Sequence, residues 1–288
     1  NFVTAREMLY KANWLLTTMN DFPRYEKPPL PTRLTAISAS LIGVHNLFAL
    51  RLPAALSAII LVFFLYKIAV LLFNNKKLSF YASLILATSF YIIFSGRNGQ
   101  WDIFTHSFMV IGIYHLIKML QYQEKCWQNS LIAGLFFGAS FLSKGPVSMY
   151  ALWLPFLIAY GIAYRSNISK RKILPFCAML ILGLIIGVSW FAYVRYADPQ
   201  AFLDIAKEEA GNWTSYNVRP FYYYWSFFTQ SGIWTIPAFV ALLYPYLKNK
   251  NYKWYYEQRL LGYNYRLNEI QSALGISQLK KIKKFVRK

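Results

Sequence analysis

Glu26 and Lys27 are the residues of this chain best suited to chemistry. They stand side by side in Tyr25-Glu26-Lys27-Pro28-Pro29-Leu30, which sets a carboxylate, an ammonium and a rigid double proline at the edge of a strongly apolar sequence. Two adjacent opposite charges beside a membrane are costly to keep unless they bind something. The ligand that suits such a pair is charged or polyol-like and lies at the lipid surface. A lone lysine there can also simply snorkel, but the place of Lys27 between Glu26 and two prolines favours binding. Other reactive residues are thinly spread. Asp102, in a short loop, reads by itself as a helix cap or solvated turn, and Lys144, before Gly145-Pro146, as a helix-end charge. His45, His106 and His115 lack ligand spacing and read as helix-face packing. Cys126 and Cys177 indicate neither a disulfide framework nor a metal cluster.

The elements that must hold these residues are membrane helices. Of the 288 residues 57% are hydrophobic and only 15% charged, against about 25% charged in a soluble domain. The apolar residues come in runs, not stripes. Leu52–Phe73, Phe80–Ser95, Phe104–Leu120, Val147–Tyr164, Ile173–Tyr193 and Ile233–Leu247 each approach the roughly 20 residues of a bilayer crossing. Ser130–Leu142 is shorter and reads as a tilted span or as half of a helix broken at Gly145-Pro146. The predicted fold is therefore an all-α integral membrane protein with about six or seven transmembrane helices and juxtamembrane helices on the outer face. The net charge of +20 would suggest nucleic acid on a soluble chain. Here the basic residues gather in alternate loops, at 74–77, 118–125, 165–172 and 248–253, so they set orientation and nucleic acid is not a partner. Eight of the eleven acids fall on the opposite side: Glu7, Asp21, Glu26, Asp102, Asp198, Asp204, Glu208 and Glu209. Leu34–Leu50 is apolar enough to suggest a crossing. A crossing there would put Glu26 and Asp102 on opposite sides, so it reads as an interfacial or re-entrant helix.

With this map in place, four motifs in order resemble a known family. Thr4-Ala5-Arg6-Glu7-Met8-Leu9 with Asn13-Trp14, then Tyr25–Leu30 with Arg51-Leu52-Pro53, then Arg97 followed by Asp102, then Phe141–Pro146 are similar to the polyprenyl-phosphate-sugar-dependent glycosyltransferases. These are GT-C enzymes of the protein O-mannosyltransferase superfamily, and the nearest likeness is to the aminoarabinose transferases that modify lipid A. The resemblance implies a multi-pass protein of the bacterial inner membrane with its active site facing the periplasm. It implies inverting transfer of a sugar from a polyprenyl-phosphate donor to a lipid, glycan or protein acceptor. Lys27, Arg97 and Lys144 would then meet the lipid phosphate, Asp102 would orient or deprotonate the acceptor, and Glu26 would position substrate or meet a divalent metal. No organic cofactor is required. Relatives carry another acid and a span before the Arg-Glu-Met segment, and further spans and a periplasmic domain later. The expectation is thus a truncated GT-C core.

From Asn251 the composition changes. Gly262-Tyr263-Asn264-Tyr265-Arg266 and the helical run that follows resemble the PLP-dependent nucleotide-sugar aminotransferases of the DegT type. There is no Schiff-base lysine motif and no room for the large domain, so PLP is not expected to act here. The division read from the sequence is a juxtamembrane catalytic region at 1–51, a transmembrane core at 52–250 and a basic cytoplasmic helical tail at 251–288. The tail suggests a fusion, or a gene boundary between two genes of one surface-sugar pathway. Two other readings stand beside the enzyme: a transporter or flippase of lipid-linked sugars, which would need charges near the midplane of its spans, and an inactive fusion fragment.

Overall fold

A computed structural model gives the structure of the chain and describes residues 1–164, 170–214, 220, 222 and 230–248. It divides into two units, Asn1–Thr235 and Ile236–Lys288. The first begins with α1 (Phe2–Tyr10), a short hairpin of β1 (Thr18–Met19) and β2 (Phe22–Pro23), and α2 (Leu30–Ile42). The described part of the second unit is helical throughout, within the helix Thr235–Lys248. The Asn251–Lys288 tail lies outside the described residues.

Each predicted span corresponds to helix. α3 (Leu47–Phe73) opens on Asn46, whose side chain accepts from the Phe48 N–H at 2.9 Å, as a good cap should. It closes on Asn74 in the left-handed conformation. α4 (Lys76–Ala87) and α5 (Phe90–Asn98) replace one predicted span with two helices bent by 58°. Then come α6 (Trp101–Gln121), α7 (Cys126–Lys144), a π turn at Met149–Trp153, α8 (Leu154–Tyr164), α9 (Ile173–Ala197) and α10 (Pro199–Thr214). Among the described residues three helices, α3, α6 and α9, are long and apolar enough to cross a membrane, or four if the bent α4–α5 pair is counted as one span. The remaining predicted crossings fall on α7, on the shorter apolar Met149–Tyr164 helix and on the last helix. The break between α7 and α8 lies at Gly145-Pro146, so α7 is a distinct helix of 19 residues.

One expectation needs correction. Leu34–Leu50 is not a single helix. α2 ends at Ile42, Gly43 takes φ +139°, and α3 has begun by Leu47. His45 and Asn46 therefore lie in a corner, and Ser38 of α2 donates across it to the Ala49 carbonyl at 2.6 Å.

α6 is the central post. In its most apolar stretch 61% is buried inside the protein, against 22% for α3 and 28% for α9. Met109, Ile113, Leu116, Ile117 and Met119 of α6 meet Ala133 and Phe137 of α7, Met179 of α9 and Ile68 of α3. In lipid, apolar burial gives no net drive between helices, so close packing and interhelical hydrogen bonds must do it. Both are present. Ser140 Oγ donates to the Thr105 carbonyl at 2.8 Å, and His115 Nδ1 meets Asn129 Oδ1 at 2.9 Å. α7 and α9 approach through glycines. A Cβ on Gly134 would lie 2.8 Å from the Met179 carbonyl oxygen, and one on Gly138 would lie 2.5 Å from Ile186 Cβ. On α9, a Cβ on Gly183 would sit 3.3 Å from the Gly134 carbonyl, and one on Gly187 would meet Phe141 at 2.7 Å. Each helix thus offers a Gly-x-x-x-Gly face to the other, which lets the backbones touch.

Candidate functional site at the Trp101 end of the bundle

The site is built where α5 turns into α6. Gly99 closes α5 with φ +62°, and a Cβ there would meet the Phe2 ring at 2.4 Å. Only glycine fits both the left-handed backbone and the space. The turn delivers Trp101 and Asp102 as the first residues of α6. α7 brings Lys144 from the other side, at its last turn, and Gly145 at φ +72° ends that helix at once. An acid at a helix start and a cation at a helix end are each favoured by the helix dipole.

The long loop between α1 and α2 supplies the rest. It is pinned by backbone carbonyls and buried rings. Arg33 Nε donates to Trp14 O at 2.8 Å, and Trp190 Nε1 donates to Leu15 O at 2.7 Å. Glu7 accepts from the Thr18 hydroxyl at 2.7 Å and so holds the hairpin. Tyr25 is buried against Trp190 and Val194 and donates to Asp198 Oδ2 at 3.0 Å. Burial, followed by the Asp198 hydrogen bond and charge, pushes the Tyr25 hydroxyl up to about 12. With Tyr25 fixed, Glu26 and Lys27 point to different surroundings, Glu26 exposed and Lys27 half-buried.

Lys27, Asp102 and Lys144 come together. Lys144 Nζ donates to Asp102 Oδ1, and the Tyr91 hydroxyl donates to Asp102 Oδ2 at 3.0 Å. Lys27 Nζ lies 5.1 Å from the centre of the Trp101 ring, and Arg24 Cζ lies 5.0 Å from it. Both are cation–π distances. Burial lowers the Lys27 pKa from its usual value; repulsion from Lys144 and Arg24 adds to this, against the opposing pull of Glu26 and Asp102. The patch is therefore rich in cations. It also holds two unmet donors. Trp101 Nε1 and Arg24 Nε are buried with no hydrogen-bond partner, whereas buried donors are nearly always paired.

Arg24, Tyr91 and Trp101 were not singled out from the sequence. Arg24 stands three residues before Lys27 and Trp101 just before Asp102, which were available signals. Tyr91, a helix earlier, gave none. The other two sequence candidates sit apart. Arg97 is exposed on the last turn of α5. Glu26 is exposed and acts on Lys27 through its charge. Among the described residues no group of three or more His, Cys, Asp and Glu side chains is placed to hold a metal ion. Glu26 is thus not part of such a group.

The family model described as dolichyl-phosphate-mannose-protein mannosyltransferase matches residues 26–191, more than half of the chain. A second model, the DegT/DnrJ/EryC1/StrS aminotransferase family, matches residues 242–288. An undecaprenyl phosphate-alpha-4-amino-4-deoxy-L-arabinose arabinosyl transferase of Proteus mirabilis is 28% identical over 200 residues, covering 68% of this chain and 35% of that protein. Its counterpart in Shewanella sediminis is 27% identical over 205 residues. The chain thus spans about a third of the length of these relatives. The fold is similar to that of ArnT from Cupriavidus metallidurans bound to undecaprenyl phosphate, with a TM-score of 0.71 at 19% identity over 87% of this chain and 46% of that one. The apo form gives 0.65.

Proposed function

The chain belongs to the dolichyl-phosphate-mannose-protein mannosyltransferase family, and from that premise we propose that it forms the core of a membrane glycosyltransferase acting on a polyprenyl-phosphate sugar. The donor would be of the undecaprenyl-phosphate kind carried in the names of its relatives. The acceptor would be a lipid or glycan reached from the outer face of a bacterial inner membrane. One observation carries the reading: Lys27 and Arg24 flank Trp101 beside the Asp102–Lys144 pair, with two buried donors unmet.

The chemistry follows from charge. As the glycosidic bond to phosphate breaks, negative charge grows on the phosphate oxygens, and preset cations stabilise it. Lys27 is the compact point charge for that role. Arg24 and the Trp101 N–H can take further oxygens. Arg97 stands farther out, as a cation for the approaching lipid. Asp102 has both oxygens engaged, one by Lys144 and one by Tyr91. A carboxylate so satisfied is a weak base, so its role is to hold and orient Lys144, with the acceptor gripped by that pair. Glu26, exposed, is the carboxylate left open to the acceptor hydroxyl.

The test is binding before turnover. Native mass spectrometry of the chain in detergent, titrated with undecaprenyl phosphate, should show a saturable complex. Lys27→Ala should weaken it about tenfold or more, the order expected for loss of a charged partner. Equal binding by the variant would sink the assignment.

A further inference from the structure

The opposite end of the same helices holds a second cation-rich feature. A cavity of about 220 Å³ is lined by Gln123, Cys126, Trp127, Arg171, Lys172 and Pro175. It lies where α6 ends, α7 begins and α9 begins. Lys172 Nζ donates to the Leu120 carbonyl at 2.6 Å and ties the start of α9 to the end of α6. Arg171 is exposed, and among the described residues no carboxylate forms an ion pair with Arg171 or Lys172.

The backbone adds to that charge. α7 and α9 both start at this cavity, and neither has a side-chain cap hydrogen bond or an acid in its first turn. Both starts carry the positive end of a helix dipole; α9 continues from a 3-10 turn at Lys170–Lys172, and Glu124 is the one acid that precedes α7 in the loop leading to it. Trp127 is 49% exposed beside them, as an indole at a membrane interface is. This end also carries Lys76, Lys77 and Lys125. Loop basicity alone sets orientation; it does not require a cavity between helices with two cations and two uncapped helix starts on its wall. Basic pockets of this kind between transmembrane helices suit phosphate headgroups.

We propose that this cavity is a binding site for the phosphate of an anionic phospholipid headgroup, in the leaflet opposite the Lys27 site. The phosphate would meet Arg171 and Lys172, with the glycerol backbone against Trp127. The site is separate from donor binding and does not depend on the transfer reaction.

The experiment is native mass spectrometry of the whole chain released from nanodiscs, titrated with phosphatidylglycerol or with phosphatidylcholine of the same acyl chains. Phosphatidylglycerol should bind more tightly. Arg171→Gln should weaken it about fivefold, the equivalent of roughly 1 kcal/mol for one basic residue near the surface. Arg171→Lys should restore most of the affinity, which separates lost charge from lost fold. Lys77→Gln removes the same charge at the same end but outside the cavity, and should change affinity less than about twofold. Inorganic phosphate is the second probe. Displacement of the lipid at millimolar concentration, absent in Arg171→Gln, identifies the phosphate group alone as what is held; no displacement assigns recognition to the intact headgroup. Equal binding of the two lipids would overturn the proposal. So would equal losses in Arg171→Gln and Lys77→Gln, since that marks diffuse surface charge.

Discussion

Tyr25 and Asp198, 173 positions apart in sequence, share a hydrogen bond of 3.0 Å. The bond fastens the loop that carries Lys27 to the end of α9. Tyr25→Phe keeps the ring packed on Trp190 and deletes only the hydroxyl. It should cost about 1.5–3 kcal/mol, the range for a hydrogen bond to a charged acceptor, and should weaken undecaprenyl-phosphate binding with it. The pH dependence has a defined sign. The folded Tyr25 hydroxyl is raised to about 12 from an unfolded value near 10. Its contribution is therefore complete below about pH 10 and fades as the pH climbs through 12. The gap in apparent Tm between the native chain and Tyr25→Phe should be flat from about pH 6 to 9 and shrink above 10. A gap that already narrows near neutrality would contradict this assignment.

Lys27 stands in repulsive company. Its pKa is lowered by burial and by Lys144 and Arg24, so the folded state tolerates its charge at a cost. That cost is present at neutral pH and is relieved as the pH rises through the folded value, because the unfolded chain then holds the extra proton. Lys27→Met should raise the apparent Tm of the ligand-free chain, by about 1–3 °C, while it weakens donor binding about tenfold or more. Differential scanning fluorimetry with and without undecaprenyl phosphate reads both effects. A fall in the ligand-free Tm would show that the lysine is structural.

Asp102 and Lys144 should behave as a coupled pair. Their side chains are 18% and 28% exposed, buried enough that either charge alone is penalised. Lys144→Gln or Asp102→Asn should each destabilise. The double variant should recover part of the loss, with a coupling of about 1–3 kcal/mol. Strict additivity in a double-mutant cycle would remove the pair from the proposed site.

The α7–α9 contact makes the cleanest packing prediction. Gly134→Val forces a side chain against the Met179 backbone, whereas Gly161 has nothing within 4 Å of where its Cβ would lie. Gly134→Val should cost about 1–3 kcal/mol or more, and Gly161→Val should be neutral or slightly stabilising, since Val is a better helix former than glycine. Proteolysis of the two variants in the same detergent would rank them. Equal resistance would mean that α7 and α9 do not touch as described.

The sequence carried some of this and not the rest. The helices of the bundle were legible because lipid requires long apolar runs. That Lys27, Asp102 and Lys144 share one end was legible from the alternation of basic loops. Arg24 and Trp101 were not, because their meeting depends on a hairpin of two-residue strands, Thr18–Met19 with Phe22–Pro23, too short to leave a pattern. The divergence of Glu26 from Lys27 was also hidden, since it follows from Tyr25 being seized by Trp190 and Asp198 far along the chain. The corner at Gly43 was masked by the unbroken apolarity of Leu34–Leu50. The glycine faces of α7 and α9 were written plainly at a spacing of four, as Gly134 with Gly138 and Gly183 with Gly187. Neither glycine pair bears on chemistry.

Helix α7 begins at the Arg171 cavity and ends at Lys144. Its 19 residues make a rod about 28 Å long, close to the roughly 30 Å of a bilayer's hydrocarbon layer. It packs through glycines against α9, which is long and apolar enough to cross a membrane, so a shift of α9 in the bilayer is passed to α7. A thinner or thicker membrane would press on both of its ends at once. Bilayer thickness is thereby a variable to which the two faces of the protein respond together.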